Sequence, residues 1–215
     1  MRPSTRSITA TFLFLCLAQP ALAMPGHFGV RAGVNLSAFA GDFGELIEPD
    51  HRVAPNIGLT YEYPLSPNIF FHGELGYSGK GGVLSSEGTD PFGNPTGTYK
   101  ATWSFDYLEV PLLIRGRIGS MGKVTPFLEM GPTVGITLAG KFKTDPKLFD
   151  EVDLKDDLKP IDVGFGAGAG LDFPVGPGRL GLEARYTRGF SDLWDIEGNA
   201  ASINQAWTFA LSYMR

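Results

Sequence analysis

Between Gly164 and Gly170 glycine takes every second position, and the residues between are Phe165, Ala167 and Ala169. Successive side chains of a strand point to opposite faces, so this segment is bare on one face and apolar on the other. A strand with a bare face is weak by itself and needs neighbours that pair its whole backbone. The same region holds a literal G-x-G-x-x-G, Gly176 to Gly181. That motif serves a dinucleotide only where a helix follows to hold the pyrophosphate. Here "RLGLEARY" follows, with Leu180, Leu182, Ala184 and Tyr186 alternating with Arg179, Gly181, Glu183 and Arg185. That is the period of a strand. "PVGPG" is then a tight turn, and no cofactor is expected.

The alternation recurs along the chain. Phe28, Val30, Ala32, Val34 and Leu36 oppose Gly29, Arg31, Gly33, Asn35 and Ser37; Ile57, Leu59, Tyr61 and Tyr63 oppose Asn56, Gly58, Thr60 and Glu62. Phe71, Leu75 and Tyr77 oppose His72, Glu74, Ser78 and Lys80, and Leu128, Met130, Val134, Ile136 and Leu138 oppose Glu129, Gly131, Thr133, Gly135 and Thr137. Trp207, Phe209, Leu211 and Tyr213 share a face near the end. About eight such strands of roughly ten residues are expected, the length a tilted strand needs to cross a membrane. One segment changes phase: Trp103, Phe105 and Tyr107 share one parity, Leu108, Val110, Leu112 and Ile114 the other. Either a β-bulge near Tyr107-Leu108 or a strand rising above the membrane accounts for this.

Glycine makes up 29 of 215 residues. With aromatics at 12% and no G-X-Y period, that load points to strands and turns rather than disorder or collagen. Short connections rich in Pro and Gly, at 64–68, 119–123 and 174–178, alternate with long polar ones at 40–52, 81–100, 141–160 and 190–202. Short turns at one end and long loops at the other mark an outer-membrane barrel with periplasmic turns and both termini on the periplasmic side. The expected fold is all-β, an eight-stranded antiparallel up-and-down transmembrane β-barrel spanning residues 24–215. In so narrow a lumen the glycines relieve crowding while Phe165, Ala167, Ala169 and Leu171 meet lipid. Aromatic girdles are expected from Phe28, Tyr63, Phe173 and Tyr213 below and Tyr77, Trp103 and Trp207 above.

Residues 1–23 have the form of a signal peptide: Arg2 and Arg6, the apolar "TATFLFLCLAQPALA", and Ala21-Leu22-Ala23 as cleavage site. Cys16, the single cysteine, lies within it and lacks the small preceding residue of a lipoprotein signal. The mature chain is left without a thiol. Losing Arg2 and Arg6 takes the formal net charge from −5 to −7, which argues against a nucleic-acid partner.

The segments "GVRAGVNLSAF", "GELGYSGKGG", "YLEVPLLIRGRI", "PFLEMGPTVGI" and "DVGFGAGAGLDF…LGLEARYTRGFSDL" together resemble the small outer-membrane β-barrel family called PorT-like or porin-family. The resemblance covers essentially the whole mature chain. It implies an eight-stranded barrel of OmpA and OmpX form, located in the bacterial outer membrane, with membrane lipid and the assembly machinery as partners and no common activity. Such barrels usually end on an aromatic residue, whereas this sequence ends Tyr213-Met214-Arg215.

The lumen-facing parity collects Arg31, Glu62, His72, Glu74, Lys80, Glu109, Arg115, Glu129, Asp162, Asp172, Glu183 and Arg185. Buried charges are tolerated when paired, so a salt-bridge network that plugs the barrel is expected; the alternative is a proton or solute path. No catalytic residue is expected: a barrel deacylase needs serine beside histidine, and none of His27, His51 and His72 stands in a compact H-x-S. "DPKLFDEVDLKDDLKP" is acidic but lacks the D-x-D-x-D-G spacing of a calcium loop, so no metal is expected. Leu148, Phe149, Leu154 and Leu158, and Trp194 with Ile196, are candidates for contact with an extracellular partner. The function expected is a monomeric, closed structural or interaction scaffold. The alternatives are a narrow pore for small solutes, a lipid-acting enzyme, or a soluble lipid-binding barrel with the pattern inverted.

Overall fold

Period-2 alternation over most of the chain leaves no stripe on which a long helix could pack, and the protein is built of strands. A computed structural model describes residues 26–41, 50–89, 95–146, 150–194 and 202–215. The expected signal peptide, with Leu148, Phe149 and Ile196, lies outside the described residues. The strands are β1 (His27–Ala40), β2 (Asp50–Pro64), β3 (Ile69–Thr89), β4 (Pro95–Arg117), β5 (Thr125–Asp145), β6 (Val152–Asp153), β7 (Ile161–Val175), β8 (Gly178–Gly189) and β9 (Ile203–Met214). All pair antiparallel with their neighbours; β9 returns to β1 and β4 joins β5, which closes the ring. Eight strands form the wall, and β6 is a two-residue addition paired to Lys141 and Phe142 of β5. Phe28 and Arg215 exchange backbone hydrogen bonds of 3.0 and 2.8 Å at the rim that also carries the short turns.

Burial is inverted relative to a soluble barrel. Val30, Leu59 and Met130 are 56%, 53% and 57% exposed on the outer wall, while Arg115, Glu62 and Glu129 are 1%, 0% and 3% exposed inside. That distribution rules out the soluble lipid-binding alternative, whose apolar face would line the interior. The glycines of β7 face the lumen, and the crowding there is concrete. A Cβ on Gly170 would overlap the Phe127 ring and the Leu182 carbonyl oxygen.

The strands outrun the ten residues expected. β3, β4 and β5 hold 21, 23 and 21 residues, so about half of each projects past the ~9–11 that cross lipid. Most of the segment 81–100, expected as loop, is a β3–β4 ladder running from Gly81↔Ser104 to Gly88↔Gly97. It lies beyond the length of strand that crosses lipid, where neither face must be apolar and alternation carries no signal.

The phase change at Tyr107 has a physical origin on both strands. Asp106 pairs with Ala139 but Tyr107 pairs with Thr137, so Leu138 is an extra residue on β5. The bulge thus sits beside the expected position but on the neighbouring strand. β4 itself keeps one parity, with Phe105, Tyr107, Glu109, Leu113 and Arg115 all buried. Phe105 and Tyr107 point inward because the mouth opposite the short turns is closed by an apolar cap. Phe39, Phe105, Tyr107, Leu158 and Leu193 form it, with Trp103, Leu154 and Trp194 packed against them. Leu158 bridges Trp194, and Lys159 N–H donates to the Leu193 carbonyl at 2.9 Å, so the two long connections meet over the mouth. Trp103 therefore packs on Phe39 and Phe142 instead of joining a girdle. Leu154, Leu158 and Trp194 close the barrel and are not a free contact patch. Trp207, stacked with Phe209 and tilted against Tyr186, is exposed on the outer wall, as expected of a girdle residue.

Candidate functional site

Every wall strand delivers polar side chains to the lumen at alternate positions, and those at one height meet regardless of strand order. At mid-height three arginines interleave with three glutamates. Arg31 on β1 donates to Glu74 at 3.0 Å and to Glu183 at 2.9 Å. Arg115 on β4 donates to Glu129 at 2.7 and 2.9 Å and lies 3.4 Å from Glu183. Arg185 on β8 reaches Glu74 at 2.5 Å, Glu129 at 2.7 Å and Glu183 at 2.8 Å. Each glutamate is thus shared by at least two guanidinium groups. His72 Nε2 lies 3.0 Å from Glu74 and 3.2 Å from Arg115.

Above this layer Lys80 donates to Glu109 at 2.7 Å. Asn35 bridges Ser78, the Gly79 carbonyl and Thr208 at 2.8 to 2.9 Å. Asp162 accepts from Asn204 at 3.3 Å, and Asn204 also donates to the Tyr107 hydroxyl oxygen at 2.8 Å. Below it, toward the short turns, Glu62 accepts from Arg117 at 2.8 Å and Arg179 at 2.5 Å, and Asp172 lies 3.2 and 3.6 Å from the same two arginines. Two rings brace the guanidinium groups: Phe127 lies 4.0 Å from Arg115, and Phe70 4.0 Å from Arg117. A lumen cavity bounded by Arg31, Asn56, Glu74 and Glu109 measures about 10 Å³, on the order of the ~10–15 Å³ that one water needs.

All ten residues expected in the charge network, Arg31, Glu62, Glu74, Glu109, Arg115, Glu129, Asp162, Asp172, Glu183 and Arg185, are buried in the lumen. Nine have an oppositely charged partner within 4.0 Å, and Asp162 has the Asn204 amide instead. The converging carboxylates Glu74, Glu129 and Glu183 face guanidinium groups, which occupy the oxygens a metal or cofactor would need. Alternating apolar-out, charged-in strands closed on themselves are one half of an identification; the other is in the sequence. Residues 18–195 match the model of the outer membrane protein beta-barrel domain. The chain belongs to that family. This outer-membrane barrel therefore resides in the bacterial outer membrane, with its apolar wall in lipid. No curated protein matches it in sequence. Among solved structures, Ail, the attachment invasion locus protein of Yersinia pestis, is 16% identical, with 89% of this chain and 100% of that one covered at a TM-score of 0.43. Neisserial surface protein A is 7% identical, with 88% and 96% covered at 0.45. OprG from Pseudomonas aeruginosa is 12% identical, with 88% and 96% covered at 0.37.

The sequence reading of the barrel missed Arg117 and Arg179, which complete the lower cluster. The signal was present. Arg117 shares the parity of Arg115, and Arg179 that of Glu183 and Arg185, but both fall at strand ends beside turns. Asn35 and Asn56 fall on the inward parity in the sequence, as do Asn204 and Thr208 opposite Trp207 and Phe209, but a neutral side chain gives no sign of the partner it meets.

Proposed function

We propose that this outer-membrane barrel is a closed, monomeric scaffold whose extracellular β3–β4 hairpin and long connections meet the surroundings, with no catalytic chemistry of its own. The observation that carries the reading is the interleaving of Arg31, Arg115 and Arg185 with Glu74, Glu129 and Glu183 at mid-lumen, with 1–8% exposure for these residues. Paired charges of this density fill an eight-stranded lumen and leave no continuous water column. The apolar cap adds a second seal. The monomer rests on closure of the wall, where β9 pairs with β1 and β4 with β5, so its lipid-length strands offer no edge to a second copy. Residues 1–23 are removed on export in this reading, and insertion uses the outer-membrane assembly machinery. A lipid-acting enzyme draws no support from His72, which is 1% exposed and turned away from lipid. Planar-bilayer recording of the refolded protein tests the proposal. The expected trace has no steady current; a stable, ion-selective current altered by Arg185→Ala would replace the scaffold with a pore.

A further inference from the structure

At the periplasmic rim, on the side away from the apolar cap, lies an open basin of about 420 Å³. Arg117, Arg179 and Lys123 line it, together with Asp172, Thr125 and Ser120. The geometry points to this basin as a binding site for a carboxylate monoanion arriving from the periplasm.

Two guanidinium groups are held side by side there by shared acids. Arg117 Nη2 and Arg179 Nη2 both donate to Glu62 Oε1, at 2.8 and 2.5 Å. Both arginines also flank Asp172 Oδ2, at 3.2 and 3.6 Å, and Phe70 stacks on Arg117 at 4.0 Å. The arginine side chains are 14% and 18% exposed, so most of their hydration is already removed. Their donors are not used up. Arg179 Nε is buried beside Asp172 Oδ2, but the Nη1 groups of both arginines make none of the hydrogen bonds found for these residues. Lys123, exposed in the β4–β5 turn, adds a third cation.

Counting charge at the basin, Arg117, Arg179 and Lys123 oppose Glu62 and Asp172, an excess of one positive charge. Arg115, 3.5 Å from Glu62, is taken up by Glu129 and Glu183 and does not reach the basin. An excess of one favours a monoanion over a doubly charged phosphate. A planar carboxylate also matches the planar donor fork of a guanidinium group. The clamp is preorganised by its acids and ring, so a ligand meets little ordering cost there.

The site does not depend on the lumen being closed, because a ligand here need not pass the mid-lumen arginines. The test is NMR of the full mature chain in lipid nanodiscs, following the Arg117 and Arg179 Nε–H signals. N-acetylglycine, its neutral amide and inorganic phosphate are titrated separately. The expected result is saturable shifts with N-acetylglycine and none with the amide, with affinity falling as NaCl is raised. Lys123→Gln, in an exposed turn that leaves the wall intact, should weaken the carboxylate about 2- to 5-fold, as expected for one solvent-exposed charge. Equal responses to acid and amide, no saturation with the acid, or saturation by phosphate alone would each overturn the carboxylate site.

Discussion

Arg185 on β8 and Glu74 on β3 meet across the lumen through two hydrogen bonds, Nη2 to Oε1 at 2.5 Å and Nη1 to Oε2 at 3.1 Å. The two residues are 111 positions apart and their strands are not neighbours in the ring. Arg185 also neutralises Glu129 and Glu183, so a single side chain ties the β3, β5 and β8 walls together.

Removing it should be expensive. Arg185→Ala leaves three buried carboxylates short of a partner and is expected to lower stability by about 3–5 kcal/mol. Urea unfolding from lipid vesicles reads the change. A loss below about 1 kcal/mol would mean that water enters the lumen and screens these charges.

Substitution on either face of β7 should lower stability, for different physical reasons. Ala167→Arg places a charge on the outer wall near mid-membrane and should cost about 2–4 kcal/mol. Gly170→Ala adds one methyl group on the lumen side, where it meets both the Phe127 ring and the Leu182 carbonyl oxygen, and should cost about 1–3 kcal/mol by overpacking. Gly170→Ala combined with Phe127→Leu should recover part of that loss. No recovery would show that the glycine is needed for another reason.

Protease added to intact cells should cut the extracellular connections, at residues 90–94 between β3 and β4 and near Glu151. It should spare the periplasmic turns at 65–68 and 176–177. The paired hairpin from Gly81 to Gly88 and Gly97 to Ser104 should survive as a ladder, so mass spectrometry should locate the first cut at its tip. Cleavage confined to the short turns would invert the topology.

Outside the membrane, Glu151 accepts from Lys141 and Lys143, each pair at 2.7 Å. These hydrogen bonds draw its pKa down from 4.5 to about 2. A lowered folded-state pKa means the clamp contributes fully above pH 4.5 and is lost as pH falls through about 2. A carboxyl-carbon NMR titration of Glu151 should show this low midpoint, moving upward in high salt as screening weakens the pairs. A midpoint at the ordinary carboxylate value would mean that the clamp does not form in solution.

Strand identity in the lipid-length part of the wall, the choice of face and most of the lumen charge set are legible in the sequence, because each follows from a local period of two; the ladder within 81–100 is not, since no such period marks it. A residue's parity tells whether it meets lipid or lumen without knowledge of its neighbours. The glycine run of β7 is readable for the same reason: a bare face has few other uses in a closed sheet. Partner choice is not local. Whether Arg185 meets Glu74 or Glu109 depends on how far each strand is staggered around the ring, and stagger is set by closure. The inward turn of Phe105 and Tyr107 was hidden because an aromatic residue suits either lipid or an apolar cap. It took the folding of Leu158 and Trp194 over the mouth, and the extra residue Leu138 on β5, to decide between them. The basin of Arg117 and Arg179 likewise exists only where the ends of β4 and β8 are brought to one rim, since two arginines distant in sequence become a site once the barrel closes.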